Sequence, residues 1–409
     1  MARQFDVPTF YRSPVVSRVK EARRLMDPRK KDLSPSVLDF GPVQFKLARH
    51  FGFCYGVENA IEIAYRALDE ANGRRVFLLS EMIHNPHVNE DLLARGIRFL
   101  RTTSGEQLIP FEELTKDDIV IIPAFGTTLE TGQRLKDIGV RVEDYDTTCP
   151  FVEKVWTRST RIGSQDYTVV IHGKRQHEET RATFSHARAG APVVVVRDLE
   201  ETRKLTAVIR GEKDRDYFFE HFGDRHSEGF DPDRDLVRIG VVNQTTMLAT
   251  ETAEIAALIR QSLVDRFGDD GMQHFADTSD TLCYATNENQ DATRALISDG
   301  ADLAIIVGGT NSSNTSHLVE LCEEVMPTYF VTGEEGLLGP DEIRHFDLHL
   351  HDMVTSRDWL PAKRPLSILL TAGASCPDIL LDRVMERVCS WMGDVAPLDD
   401  VLTPFSPFN

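Results

Sequence analysis

The chain has 409 residues, 41% hydrophobic and 27% charged, which excludes a largely disordered or fibrous protein and leaves room for two or three domains of about 150 residues. Forty-six basic against 65 acidic residues give a net charge of −19, a field that repels nucleic-acid phosphates and anionic lipid. The longest apolar runs, 119–124 and 303–307, are too short to span a bilayer, so neither nucleic acid nor membrane is expected as a partner.

Residues 1–43 read as an extension, rich in Lys and Arg, punctuated by Pro8, Pro14, Pro28 and Pro35, with one short helix near 18–26. They lack the apolar core of a secretory signal. They are also poor in serine and carry Asp6, Glu21, Asp27 and Asp32, unlike a transit peptide. Six sparse cysteines without a signal point to a reducing compartment. From residue 44, apolar β-branched runs at 76–79, 119–122, 169–171, 193–196, 239–242, 304–307 and 368–370 alternate with helical segments. That rhythm predicts an α/β fold of βα units around mostly parallel sheets. Segment 209–236, with nine acidic and five basic residues, reads as a surface insertion with one or two helical turns.

Three cysteines share one setting. Cys54 follows His50-Phe51-Gly52-Phe53, Cys149 follows Asp146-Thr147-Thr148, and Cys283 follows Asp280-Thr281-Leu282; a helical run succeeds each. A helix N-terminus favours the thiolate, and Pro150 suits a first helical position. Two polar strand ends then follow each cysteine. The first set is Glu81 and His84, then 124–128. The second is His172 to Glu179, then 243–246. The third is 308–314, then 371–375. The recurrence divides the chain into three units, 44–145, 146–280 and 281–395, with the insertion in the second and a tail at 396–409. Ligands of open parallel sheets bind at strand carboxyl ends. Packed about a pseudo-threefold axis, the units would turn three thiols, histidines, carboxylates and a hydroxyl-rich loop toward one centre.

Three convergent thiolates suit one metal or cluster, although their spacing matches neither a ferredoxin run nor a zinc knuckle. On a four-iron cluster they leave one iron open; zinc is the runner-up. Cys322 and Cys389, among apolar helical residues, read as core, and Cys376 stays open between the two readings. His84 and His177, at matching junctions, read as ligand-binding, whereas His87, His172 and His186 read as structural. Ser312, Ser313 and Asn314 after Gly308-Gly309 suit an anion cradle as well as an N-cap. No P-loop lysine or Gly-x-Gly-x-x-Gly fingerprint indicates a nucleotide. Of the adjacent Glu178 and Glu179, one suits a proton donor beside a cluster and the other a solvated helix-start charge; the sequence does not choose.

Eight motifs in order carry a resemblance: Gly52-Phe53-Cys54-x-Gly56-Val57, Ile83-His84-Asn85, Thr148-Cys149-Pro150, His177-x-Glu179, Gln244-Thr245-Thr246, Cys283-Tyr284-Ala285-Thr286, Asn311-Ser312-Ser313-Asn314 and Thr371-Ala372-Gly373-Ala374-Ser375. Over residues 45 to 395 the chain resembles the LytB/IspH family of hydroxymethylbutenyl diphosphate reductases. The resemblance implies three α/β units in a trefoil around a central 4Fe–4S cluster held by Cys54, Cys149 and Cys283. It implies an open iron at the allylic hydroxyl of the substrate, whose removal as water by two electrons and two protons yields isopentenyl and dimethylallyl diphosphate. Glu179 would supply protons with Thr245 beside it, and His84, His177, Ser312, Ser313, Asn314 and Ser375 would hold the diphosphate. A ferredoxin or flavodoxin would donate electrons to a monomer or homodimer in the cytoplasm, or in the plastid stroma if the source is a plant. A zinc-dependent hydrolase and an iron–sulfur redox sensor are the alternatives. One departure stands out: Phe125 occupies a position where many members carry histidine, as in the plant and cyanobacterial branch, so one imidazole is missing from the diphosphate site. Thr127 or Thr128 would offer a hydroxyl there.

Overall fold

A computed structural model describes residues 5–276, Thr281 and 283–406. Asp280 and Leu282, part of the third cysteine junction, lie outside the described residues. The chain divides into two compact units. The first holds Met1–Glu62, Ile83–Asp91 and Tyr284–Asn409; the second holds Ile63–Met82 and Leu92–Cys283. Among the described residues no helix is long and apolar enough to cross a membrane.

Strands in chain order are β1 (Ser36–Asp39), β2 (Val43–Leu47), β3 (Val76–Leu78), β4 (Arg98–Phe99), β5 (Ile119–Ile121), β6 (Thr168–His172), β7 (Val193–Val196), β8 (Ile239–Asn243), β9 (Leu303–Val307), β10 (Thr328–Val331), β11 (Glu342–Asp347), β12 (Asp352–Arg357) and β13 (Leu366–Ala372). All seven expected runs are strands, and the α/β class is observed. β6, β8 and β9 are buried along their whole length, as strands covered on both faces must be.

The sheets run β4-β3-β5 and β7-β6-β8 in the second unit, and β1-β2-β13-β9-β10-β11-β12 in the first. One connection recurs. A central strand (β3, β6, β9) is followed by a parallel neighbour on one side (β4, β7, β10) and then by one on the other (β5, β8, β13). Each reversal creates a switch point at which carboxyl ends diverge and a crevice opens. A further segment lies beyond the last strand of each set. β2 pairs in parallel with β13, Asp146 bridges Ile122 just past β5, and Phe275 bridges Ile239 of β8. These three segments lead in the chain to Cys54, Cys149 and Cys283.

Two stretches grouped together in the sequence reading, β2 and β3–β5, lie in different sheets. The strand before Cys54 does not share a sheet with β3–β5; it sits beside β13, where Val43, Phe45 and Leu47 are fully buried. The supposed extension is also built in. Ser13 caps the helix Pro14–Met26 by accepting from the Val16 N–H at 2.6 Å, and Pro14 occupies its first turn. Val15, Val16, Val19 and Ala22 then form a buried stripe on the core of the first unit. The Pro residues had masked this helix, which starts four residues earlier than expected. The tail is not loose either, since Val401, Leu402 and Phe405 join the same core. Segment 209–236 departs from the expectation of a surface insertion. Asp214 caps the helix Arg215–Phe222, and Phe218 and Phe222 are completely buried with rings 5.0 Å apart. Phe230 stacks on Phe218 at 5.1 Å. Charge density had hidden an aromatic cluster that packs on Val194, Val196 and Ile239.

Candidate active site

Several of the expected site residues lie just past strand carboxyl ends: His177 after β6, Thr245 after β8, Ser312 to Asn314 after β9 and Ser375 after β13. In the second unit, His172 ends β6 and His177 begins the helix Glu178–Arg188 as its N-cap. His177 Nδ1 accepts the Glu179 N–H at 3.2 Å, so the neutral ring carries its proton on Nε2. Thr245, just beyond β8, faces Glu179. Its N–H donates to Glu179 Oε1 at 2.6 Å and its hydroxyl to Oε2 at 2.9 Å. Glu179 is 1% exposed. Burial pushes its carboxyl up to about 7, against the pull of the two Thr245 hydrogen bonds. Desolvation outweighs the two hydrogen bonds, with no cation among the described residues to offset it. A carboxyl in that range gives and retakes a proton near neutral pH.

Glu178 is no solvated charge. It is 4% exposed, with the Arg181 guanidinium 3.8 Å away. Arg181 is anchored by the Thr103 and Ser104 carbonyls. The adjacent carboxylates thus differ by partner: Glu178 faces a cation and Glu179 faces hydroxyl and amide. Gln244 supports the arrangement by accepting from the Thr180 hydroxyl and the Lys174 N–H, both at 3.1 Å. Gly173 leaves the space, because a Cβ there would press on Thr180 Oγ1 at 2.7 Å. Phe125 meets the His177 ring edge-on, centroids 5.6 Å apart at 82°. Of the two proposed replacements for an imidazole, Thr128 is spent as the N-cap of Leu129–Ile138, whereas Thr127 Oγ1 is buried with no hydrogen-bond partner among the described residues.

In the first unit the ends of β9 and β13 bring together Ser312, Asn314 and Ser375, with His84 against them. The Ser375 hydroxyl donates to the His84 carbonyl at 3.0 Å. A Cβ at Gly309 would overlap that same carbonyl, which demands glycine. Ser312 caps the helix Ser313–Glu323 by accepting from the Thr315 N–H at 3.3 Å. Asn314 Oδ1 accepts from the Ala374 N–H at 2.8 Å and from Asn289 at 3.5 Å. Asn314 Nδ2 and the Thr315 and Thr371 hydroxyls are buried with no hydrogen-bond partner among the described residues. Buried polar groups are normally satisfied, so this cluster beside a helix N-terminus suits an anion. Asn289 and Thr315 were not foreseen, since a lone polar residue inside a helical pattern carries no spacing signal.

The thiols separate into two classes. Cys54 and Cys283 each immediately precede the first residue of a helix, Tyr55–Asp69 and Tyr284–Asp299, and Cys149 is the N-cap of Pro150–Gly163. The Cys54 N–H donates to the Ala374 carbonyl in the first unit at 3.1 Å, and the Cys149 N–H to that of Ala124 in the second at 3.0 Å. Burial instead pushes Cys322 up to about 12 and Cys389 up to about 11, and raises Cys376 well above its ordinary value. Those three hold their protons and pack in or against the core; the first three stand at helix starts, a setting that favours a thiolate. Among the described residues no three His, Cys, Asp or Glu side chains are gathered for a single metal ion. His172, His186 and His87 have structural partners, as expected: Thr252 at 2.8 Å, the stacked Trp156 ring at 3.8 Å, and the Thr332 carbonyl at 3.2 Å.

The chain is similar to the 4-hydroxy-3-methylbut-2-enyl diphosphate reductase of Gloeobacter violaceus, with 41% identity over 356 residues, 86% of this chain and 84% of that protein. A Synechococcus protein of the same name is 40% identical over 352 residues, 86% of each chain. A solved (E)-4-hydroxy-3-methyl-but-2-enyl diphosphate reductase, described as the terminal enzyme of the non-mevalonate pathway, shares 27% identity at a TM-score of 0.51, covering 84% of this chain and 98% of that one. The Plasmodium falciparum reductase, 19% identical at a TM-score of 0.61 over 85% and 87% of the two chains, shares the fold. The family model described as LytB protein matches residues 45–389, and this chain belongs to that family.

Proposed function

We infer that this chain is an iron–sulfur oxidoreductase that removes the hydroxyl of 4-hydroxy-3-methylbut-2-enyl diphosphate. Two electrons and two protons enter, the allylic C–O bond breaks, and water leaves with isopentenyl or dimethylallyl diphosphate. Family membership supports the reaction. The observation that carries its assignment to residues is the buried Glu179 carboxyl, raised to about 7 and gripped by Thr245.

Cys54, Cys149 and Cys283 are the thiolates we assign to a 4Fe–4S cluster, one iron of which stays open. Bound, the cluster supplies electrons and a Lewis-acidic iron. The protein's own groups do the rest. Glu179, raised to about 7, keeps a large acid fraction near neutral pH and gives its proton to the departing oxygen. The Thr245 hydroxyl accepts and donates, so it relays and orients that proton. His84, Ser312, Ser313, Asn314 and Ser375 take the diphosphate, with His177 offering Nε2–H. This local set of donors overcomes the −19 charge of the chain. A ferredoxin- or flavodoxin-like carrier supplies the electrons. Neither a zinc hydrolase nor a redox sensor gains support from these relatives. The test is an anaerobic assay of substrate with a chemical reductant. Formation of both five-carbon diphosphates is expected, and unchanged substrate with an iron-loaded protein would refute the reading.

A further inference from the structure

The family match begins at residue 45, yet a side chain before that range grips the loop that carries Cys54. Lys20, on the helix Pro14–Met26, donates to the Phe51 carbonyl at 2.9 Å and to both Asp378 oxygens at 2.8 Å. Three acceptors use all three N–H bonds of an ammonium. The ammonium also stands 4.4 Å from the centroid of the Phe51 ring. Phe51 and Asp378 lie on the two segments that meet at Cys54, whose N–H is held by the Ala374 carbonyl. Gly52, between Phe51 and the cysteine, has φ +76, and a Cβ there would overlap Asp378 Oδ1 and reach within 3.0 Å of Lys20 Nζ. Asp378 is the N-cap of the helix Ile379–Cys389 but makes no capping bond with its side chain. An aspartate in that position ordinarily caps; here both oxygens go to Lys20. The pair is partly shielded, at 31% and 18% side-chain exposure, so it is less screened than an open surface pair.

We propose that Lys20 is a positioning residue for the Cys54 thiol, clamping segments 51–54 and 374–378 into the geometry that a cluster ligand needs. This rests on the reading of Cys54 as a ligand. The clamp gives the N-terminal segment a part in holding the cofactor.

The test uses the full chain, reconstituted anaerobically with iron and sulfide, in wild-type, Lys20→Met, Lys20→Arg, Asp378→Asn and Val19→Ala forms. Iron release to a chelator, the electron paramagnetic resonance spectrum of the reduced protein and the thermal midpoint are measured. Lys20→Met and Asp378→Asn should release iron roughly ten-fold faster, as loss of hydrogen bonds to a charged group implies, with an altered resonance spectrum. Lys20→Arg should recover much of the wild-type rate. Val19→Ala, which thins the buried face of the same helix, should lower the midpoint without changing release. Wild-type release and spectrum in Lys20→Met would overturn the proposal, as would equally fast release in Val19→Ala. A wild-type chain that binds no iron would instead overturn the cluster reading beneath it.

Discussion

Glu179→Gln isolates one carboxyl whose environment is fully specified. The wild-type carboxyl is moved by burial from 4.5 to about 7. At about 1.4 kcal/mol per pKa unit, ionising it in place costs about 3 kcal/mol more than ionising it in the unfolded chain. The folded protein keeps this proton between pH 4.5 and about 7 while the unfolded chain loses it. Stability contributed by Glu179 therefore falls as pH rises through that window and levels off above it. Gln cannot titrate, and its Oε1 can still accept the Thr245 N–H. Denaturant unfolding of the two proteins at pH 5 and pH 8 reads the difference, in which every other titrating group cancels. The advantage of the Gln form should grow by about 2 to 3 kcal/mol between those pH values. In turnover, wild-type kcat should decline above about pH 7 as the acid form is lost, and Glu179→Gln should lose about 10²–10⁴-fold, the usual contribution of a general acid. A pH-independent stability difference would show that Glu179 titrates as an ordinary carboxyl and would refute the reasoning.

Replacing Cys54, Cys149 or Cys283 with serine should abolish bound iron, whereas Cys322→Ser and Cys389→Ser should keep it; iron and sulfide analysis decides. Phe125→Ala removes the edge contact on His177, worth about 0.5–1.5 kcal/mol, and should raise KM about three- to ten-fold with little change in kcat. Unaltered KM would mean that the His177 ring needs no such support. Phe218→Ala should destabilise the second unit by about 3–5 kcal/mol, read as a lower thermal midpoint; a near-neutral result would return segment 209–236 to the surface.

Strand positions were legible because buried parallel strands are written as uninterrupted β-branched runs, as in Val193–Val196. The Cys149 junction was legible because Pro150 and the preceding Thr147-Thr148 mark a helix start. Sheet membership was not. Nothing local in Val43–Leu47 says that its partner is β13, because pairing across that distance is decided by which strand edge remains open. Helix Pro14–Met26 was partly hidden because Pro14 was read as punctuation when it stands at a first turn. The antiparallel hairpin of β11 and β12 went unseen because its residues are mostly half-exposed and show no apolar run. What separates the surroundings of Glu178 and Glu179 was not legible from their spacing, since it lies in Arg181 facing one and Thr245 facing the other.

The pairing of β2 with β13 also sets an order of assembly. A ribosome releases Val43–Leu47 and the Cys54 loop early, but the strand that flanks them, Leu366–Ala372, is made almost last. Units of local contact form first, while pairings distant in sequence wait for loop closure. The second unit, continuous from Leu92 to Cys283, can thus settle during synthesis with Cys149 in place. Cys54, earliest of the three to leave the ribosome, would gain its backbone partner at Ala374 only late. Loading of iron would then follow translation, and a chain truncated before Leu366 would leave its first cysteine exposed to oxidants with no strand to seat it.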